Sequence, residues 1–287
     1  MRCETCDSRF LWALKRISWE RIVFCLSCKS LFYLSEHKAL VDHDEDFTAR
    51  NYLETINLDG EIQEYRKILE TLNEMLPAHE INNYLHDVGC GTGHFLTLAK
   101  EYGFETTGND IWDEMIFLSK KSGHNVYLGP FNPSKHFKLH IITMLCVLAH
   151  MDAPWLEVQK IISALSQKGI LYFHTPRMCV LDYLAIASFI LSGKSFPNLL
   201  NRRVNKSHRR IYSQKALSAE LEKVGLKILK IEKRNVYGLK YSEYLKSIGL
   251  SSKKALKIGE FIAETSIDRF FPRNRWSVYC AISDLSH

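Results

Sequence analysis

The stretch His86-Asp87-Val88-Gly89-Cys90-Gly91-Thr92-Gly93 decides how this chain is read. It follows a short apolar run, Tyr84 to Val88, and precedes a helical pattern from His94 to Tyr102. A glycine-rich turn between a strand and a helix lets the backbone approach a ligand where a Cβ would clash. It also aims amide groups of the helix start at that ligand. A glycine pattern alone is weak, so the flanking residues carry the weight. Asp87 precedes the turn, where its carboxylate can hold the loop or take a ligand's ammonium group. The spacing is Gly-x-Gly-x-Gly, and His94 stands where a dinucleotide fold would want its third glycine. A second strand is expected over Gly103 to Gly108. It ends at Asn109-Asp110, and Asp110, seventeen residues past Gly93, can accept hydrogen bonds from both hydroxyls of a ribose.

Outward from the loop, strands and helices alternate as a parallel sheet with crossover helices requires. Asp113 to Lys121 reads as a helix, Asn125 to Leu128 and Leu139 to Leu145 as strands, and Pro154 to Leu165 as a helix. Gly169 to His174 is a fifth strand closed by Pro176. Ser213 to Val224 is a helix, and Leu226 to Glu232 and Trp276 to Ser283 are the last two strands. That makes seven strands in one α/β unit. Upstream, Ile62, Tyr65, Ile68, Leu69 and Leu72 recur at helical spacing within Phe47 to Leu76, and Pro77 ends the pattern. The charged stretch Glu36 to Asp46, with His37 and His43, reads as a solvated linker.

On these residues the sequence resembles the class I S-adenosylmethionine-dependent methyltransferases, whose first motif is an acid followed by Gly-x-Gly-x-Gly. Asp87 to Gly93 matches it in full, and Gly108-Asn109-Asp110 resembles the second motif. Val147-Leu148-Ala149-His150-Met151 resembles the family's Val-Leu-Glu-His segment after strand four. Gln167 to Leu171 resembles its Lys-Pro-Gly-Gly turn, and His174-Thr175-Pro176-Arg177 its Thr-Pro-Asn ending. Ser207-His208 through Ser213 resembles the segment before its late helix. The resemblance implies a seven-stranded, mostly parallel Rossmann-like sheet. It further implies S-adenosylmethionine held by Asp87, Gly89, Cys90, Gly91, Gly93, Asp110 and Met144. Three departures stand out: Ala149 replaces a glutamate, His140 replaces the acid that opens strand four, and no acid follows strand three around Leu128-Gly129-Pro130.

Cys3-x2-Cys6, eighteen intervening residues, then Cys25-x2-Cys28 is a metal-binding spacing. Two such knuckles complete the tetrahedral all-sulfur site that zinc adopts in structural roles. A redox pair or coincidental thiols are the alternative. Ser30-Leu31-Phe32-Tyr33 resembles the run after the second knuckle in zinc-ribbon methyltransferases. The other cysteines (Cys90, Cys146, Cys179, Cys280) lie in apolar contexts and read as buried. The domains expected are a zinc-ribbon-like module over 1–45, a helical linker or cap over 46–80, and a methyltransferase domain over 81–287. The last carries a substrate-side insertion at about 177–212.

An oxygen acceptor usually needs a general base, and His150 and His208 are the candidates. The insertion has an apolar half, Val180 to Leu191, and a basic half carrying Arg202, Arg203, Lys206, Arg209 and Arg210. It reads as a lid for an anionic acceptor or as a packed helix with a solvated basic loop. The chain's formal charge of +6 permits an anionic partner without demanding nucleic acid. No signal pattern opens the sequence, and the most apolar stretch, Met178 to Leu191, is too short for a membrane span and is broken by Asp182. Cytoplasmic location is expected. The main functional expectation is methyl transfer to a small-molecule, glycan or lipid-linked acceptor. An RNA-directed enzyme using Trp12, Lys15, Arg16, Trp19 and Arg21 with the basic loop is a second reading, and a non-catalytic cofactor-binding protein a third.

Overall fold

In the computed structural model the described residues are 2–17, 20–35, 53–54, 56–76, 83–135, 138–192, 200, 203–205, 208–234, 252–254, 257 and 273–283. The expected linker over 36–46, and Trp19, Arg202 and Lys206, lie outside them. The chain forms two compact units. One takes Leu58–Thr175, Ser218–Glu232 and Ser277–His287, and the other Met1–Asn57, Pro176–Leu217 and Lys233–Trp276.

The first unit is built on a seven-stranded sheet. Its strands are β4 (Tyr84–Val88), β5 (Glu105–Asp110), β6 (Val126–Leu128), β7 (Leu139–Leu145), β8 (Leu165–Pro176), β10 (Leu226–Arg234) and β11 (Arg275–Ile282). The order is β10-β11-β8-β7-β4-β5-β6, and the pairs β4–β5, β5–β6, β4–β7 and β7–β8 are parallel. The chain therefore starts in the middle of the sheet and winds outward in both directions. This puts a switch in strand order beside β4, where the C-terminal ends of parallel strands open a crevice for ligands. Val88 lies level with Asn109 on one side and with Met144 on the other, so the glycine loop leaves the sheet at that crevice.

Helix α1 (Leu58–Met75) buries Ile68, Leu69 and Leu72, the face its spacing announced. Pro77 lies outside the described residues, and the helix ends two residues before it. Tyr65 meets Phe95 of α2 (His94–Glu101) edge-on at 5.2 Å. Helix α3 (Asp113–Lys121) has Asp113 and Glu114 in its first turn and Lys120 and Lys121 in its last, matching charge to the helix dipole. Helices α4 (Pro154–Ile162) and α6 (Gln214–Lys223) follow β7 and precede β10. In the same core cluster, Tyr172 and Tyr279 pack at 4.7 Å, and the Tyr172 hydroxyl bonds Ser277 Oγ at 2.9 Å.

The second unit holds a four-stranded sheet in the order β1-β2-β3-β9: β1 (Leu11–Ile17), β2 (Glu20–Cys25), β3 (Leu31–Ser35) and β9 (Arg210–Ile211). The cysteine-bearing hairpins thus share a sheet with residues from the 177–212 insertion, since β9 pairs antiparallel with β3, Leu31 opposite Ile211. Helix α5 (Val180–Ser192) belongs to the same unit. One apolar core joins Leu14, Ile22, Phe24 and Leu31 to Ala185, Ile186, Leu200 and Val204. Asp182, fully buried, accepts from Arg203 Nε at 2.8 Å and from Cys179 N–H at 2.8 Å. Arg210 pairs with Glu4 at 2.8 Å.

Candidate functional site

The loop after β4 is held mostly by its neighbours. The N–H groups of Gly89 and Cys90 both donate to the Asn109 carbonyl, at 2.8 and 3.0 Å, and Gly93 N–H donates to the Cys90 carbonyl at 3.0 Å. Gly91 N–H donates to Asp110 Oδ2 at 2.9 Å. Four loop amides are therefore spent within the protein. The start of α2 is different: Gly93 caps it in the left-handed region (φ 87) with no side-chain cap. Only glycine serves there, because a Cβ would lie 2.5 Å from His124 and 2.7 Å from Ser119. At Gly91 (φ 52) a Cβ would meet nothing within 4 Å, so this glycine faces open space.

Two carboxylates flank that opening. Asp87 is 1% exposed and accepts a 2.6 Å bond from Thr143 Oγ1. Burial pushes its carboxyl up to about 7; the Thr143 bond opposes this and the nearby Asp110 charge adds to it. Asp110 is 7% exposed and accepts from Gly91 N–H through Oδ2 and from Trp112 N–H through Oδ1, at 2.9 and 3.0 Å. Its carboxyl too is raised, chiefly by burial. Among the described residues no lysine, arginine or histidine forms an ion pair with either acid. Two buried carboxylates beside an open glycine are a costly arrangement unless a cation joins them.

Asn109, between them, is fixed by His86 Nε2 at 2.9 Å and donates to the Gly129 carbonyl at 2.8 Å. His86 is wholly buried, with its other nitrogen 2.7 Å from Thr107 Oγ1, so it is a structural histidine. Past Asp110, Ile111 is exposed, as is Leu128 at the end of β6. Met144 is completely buried in β7.

Cys146, just past β7, was expected to be buried like Cys90, Cys179 and Cys280. It is partly exposed and sits at φ 66, a strained conformation for a residue other than glycine. Nothing in the sequence signals this, because the strain is imposed by the turn out of β7. His150 is exposed in the same segment, its N–H donating to the Val147 carbonyl at 2.9 Å. Ala149 is fully buried. His208 belongs to the other unit, its N–H bonded to Asn205 Oδ1 at 2.8 Å. His140 lies at the start of β7, the edge of the sheet away from the loop. There its Nδ1 accepts from Tyr84 N–H at 3.1 Å.

Cys3, Cys6, Cys25 and Cys28 converge, all four Sγ atoms lying within 4.8 Å of one another. Cys3 and Cys28 are 3.7 Å apart at sulfur, Cys6 and Cys25 3.6 Å. Disulfide bonds would need about 2 Å. Four thiolates at about 2.3 Å around one ion in a tetrahedron would stand roughly 3.8 Å apart. The two knuckles repeat one turn. Asp7 N–H bonds the Cys3 carbonyl and Lys29 N–H the Cys25 carbonyl, at 3.0 and 2.9 Å, with Asp7 and Lys29 both left-handed at φ 55 and 57.

The strand order, the glycine loop after the central strand and the acid ending its neighbour together define an S-adenosylmethionine-dependent methyltransferase fold. The family model for a methyltransferase domain matches residues 60–231, more than half of the chain, and the chain belongs to that family. No curated protein matches it in sequence. Solved structures resemble it at the level of fold. The plantazolicin methyltransferase BamL, in complex with a triazolic desmethyl analogue and SAH, has a TM-score of 0.54 and 15% identity over 84% of this chain and 92% of its own. Magnesium protoporphyrin IX methyltransferase of Synechocystis PCC 6803, with bound SAH, gives 0.51 and 13% over 78% and 84%. The YcgJ protein of Bacillus subtilis gives 0.50 and 16% over 77% and 98%.

Proposed function

We propose that this chain binds S-adenosylmethionine at the Asp87–Gly93 loop and transfers its methyl group to a small-molecule, glycan or lipid-linked acceptor. The observation that carries the proposal is the pair of buried acids, Asp87 and Asp110, which lack a cation partner among the described residues and flank the open Gly91. A ligand with an ammonium group and a ribose fits both. Asp87 takes the ammonium side, and Asp110 has lone pairs left for ribose hydroxyls after serving Gly91 and Trp112. Gly89, Cys90, Gly91 and Gly93 shape the backbone wall, and Met144 floors the site from within β7. The exposed Ile111 and Leu128 offer apolar surface for a base. Two of the structural neighbours hold SAH and are methyltransferases of magnesium protoporphyrin IX and of plantazolicin, which supports a small-molecule class of acceptor.

When bound, the cofactor supplies a sulfonium-activated methyl group for in-line displacement. The protein's part is to hold donor and acceptor in line and, for an oxygen acceptor, to take a proton. His150, exposed after β7, is the candidate base, and His208 the second. His140, which replaces the acid opening strand four, bonds Tyr84 N–H at the far edge of the sheet, so it lends the non-catalytic reading less support. The RNA-directed reading also draws less support, because Arg203 and Arg210 of the basic loop are occupied by Asp182 and Glu4. The four cysteines are proposed to hold a structural zinc, as the all-thiolate donor set leaves no position open for catalysis.

The test is incubation with methyl-labelled cofactor and fractionated cell extract. Label in a small-molecule, glycan or lipid fraction is the expected result; label confined to RNA, or none despite tight cofactor binding, overturns the acceptor assignment.

Asp87 adds a pH dependence. Without ligand its folded-state carboxyl titrates near 7, above the ordinary 3.8. It therefore contributes stability that is complete below about pH 4 and lost as pH rises through 7. A cationic ligand favours the ionised form, so the sign reverses for binding. Cofactor affinity is expected to rise about tenfold per pH unit below 7 and to level off above it. Titration calorimetry at several pH values checks this, and Asp87→Asn should flatten the profile. A flat profile in the unmodified protein would remove the ammonium from Asp87.

A further inference from the structure

We infer that α5 is a bilayer-docking element, through which this protein rests on anionic lipid surfaces. The helix is apolar on both sides. Inward it gives Ala185 and Ile186 to the core, and its one charge, Asp182, is buried against Arg203. Outward it shows Val180, Tyr183, Leu184, Ala187, Ile190 and Leu191, residues at spacings of three and four, all exposed. Leu191 is 87% exposed, Val180 65% and Leu184 59%. A contiguous apolar stripe with no charge on it is what water-facing helices avoid and what interaction surfaces carry.

Two observations choose a lipid surface over another partner. The first is charge. Between Asp182 and Glu220 the sequence holds no aspartate or glutamate. Arg203 and Arg210 are set against Asp182 and Glu4, and the same stretch of sequence carries four further cations, Lys194, Arg202, Lys206 and Lys215. An apolar helix face followed by a purely basic segment is complementary to a bilayer with anionic headgroups. The second is an aromatic neighbour. Tyr183 meets Phe24 edge-on at 6.2 Å, and Phe24 lies directly opposite Trp12 across the β1–β2 pair. Opposed residues share a sheet face, so Trp12, 42% exposed, extends the patch with the kind of ring that prefers the headgroup level. The geometry is one of lying on the membrane. Thirteen residues make a helix of about 20 Å, short of the roughly 30 Å hydrocarbon layer. No helix among the described residues is long and apolar enough to cross it.

The test is flotation of the full-length protein with phosphatidylcholine vesicles in which roughly one lipid in three is phosphatidylglycerol. The protein should float with these vesicles, should do so much less with pure phosphatidylcholine, and should be partly released by about 1 M salt. Leu184→Glu with Leu191→Glu should lower the bound fraction about tenfold or more, with unchanged circular dichroism and cofactor affinity. Leu184→Gln with Leu191→Gln serves if the glutamates disturb folding. No flotation with anionic vesicles overturns the inference, as does equal flotation of both variants. A dimer in solution that these substitutions dissolve, without lipid binding, would assign the face to a second copy of the chain instead.

Discussion

Asp110→Ala is expected to remove cofactor binding almost completely, with the dissociation constant rising a hundredfold or more. Each hydrogen bond to a charged acceptor contributes about 1.5 to 3 kcal/mol, so loss of two ribose contacts alone reaches that size. The substitution does a second kind of damage. Asp110 also receives Gly91 N–H and Trp112 N–H, and alanine leaves both donors without their acceptor. The loop would lose one of the bonds that fix its path between β4 and β5. Asp110→Asn separates the two effects. It keeps one oxygen acceptor and nearly the same volume, so it should weaken binding by less while leaving the fold intact. Calorimetry with S-adenosylmethionine measures both, and thermal unfolding shows whether the loop's loss reaches the global fold. Unaltered affinity in Asp110→Ala would place the cofactor elsewhere and with it the whole site.

Cys28→Ser is expected to abolish zinc binding by the proposed four-cysteine site and to unfold the four-stranded sheet with it. A structural zinc contributes on the order of 10 kcal/mol to a small metal-dependent fold, and three thiolates bind far more weakly than four. The consequences travel beyond the knuckle. Ser213 Oγ donates to the Cys28 carbonyl, and Ser213 N–H bonds Ser30 Oγ at 3.0 Å. The same Ser213 hydroxyl accepts from Ala216 N–H at 3.1 Å and so caps α6. Loss of the cluster should therefore raise hydrogen exchange through β1 to β3, through β9 and at the start of α6. Metal analysis should return about one zinc per chain for the unmodified protein, following from four ligands to one ion, and close to none for the variant. A metal-free protein with the same exchange protection would reduce the cysteines to ordinary buried thiols.

The readable part of this fold was the part whose physics is local. Asp113 to Lys121 and Leu139 to Leu145 form the elements the sequence spacing gives, with the same boundaries. The glycine loop is equally local: a tight reversal between a buried strand and a helix needs left-handed residues, and glycine supplies them. The cysteine spacing brought the four sulfurs together because each knuckle is a self-contained turn. Elsewhere the pattern ran short. The fifth strand was expected over Gly169 to His174, yet β8 runs from Leu165 to Pro176, because pairing with β7 extends it past the apolar residues. The arginines of the insertion looked like a single basic patch for phosphates. Arg203 is instead committed to Asp182, twenty-one positions away, and Arg210 to Glu4, more than two hundred away.

By itself, then, the sequence determined the glycine loop, the acids at 87 and 110, the four-cysteine spacing and the alternation that makes a seven-stranded sheet. All of these follow from turn stereochemistry, periodicity and short-range ligand spacing. The tertiary structure alone decided what those residues meet. It buried Asp87 and Asp110 with no cation partner among the described residues, tied the loop amides to Asn109 and Asp110, and joined β9 to the cysteine-bearing sheet. It also turned one face of α5 outward. Burial and long-range pairing set those outcomes, and neither is written in the identity of neighbouring residues.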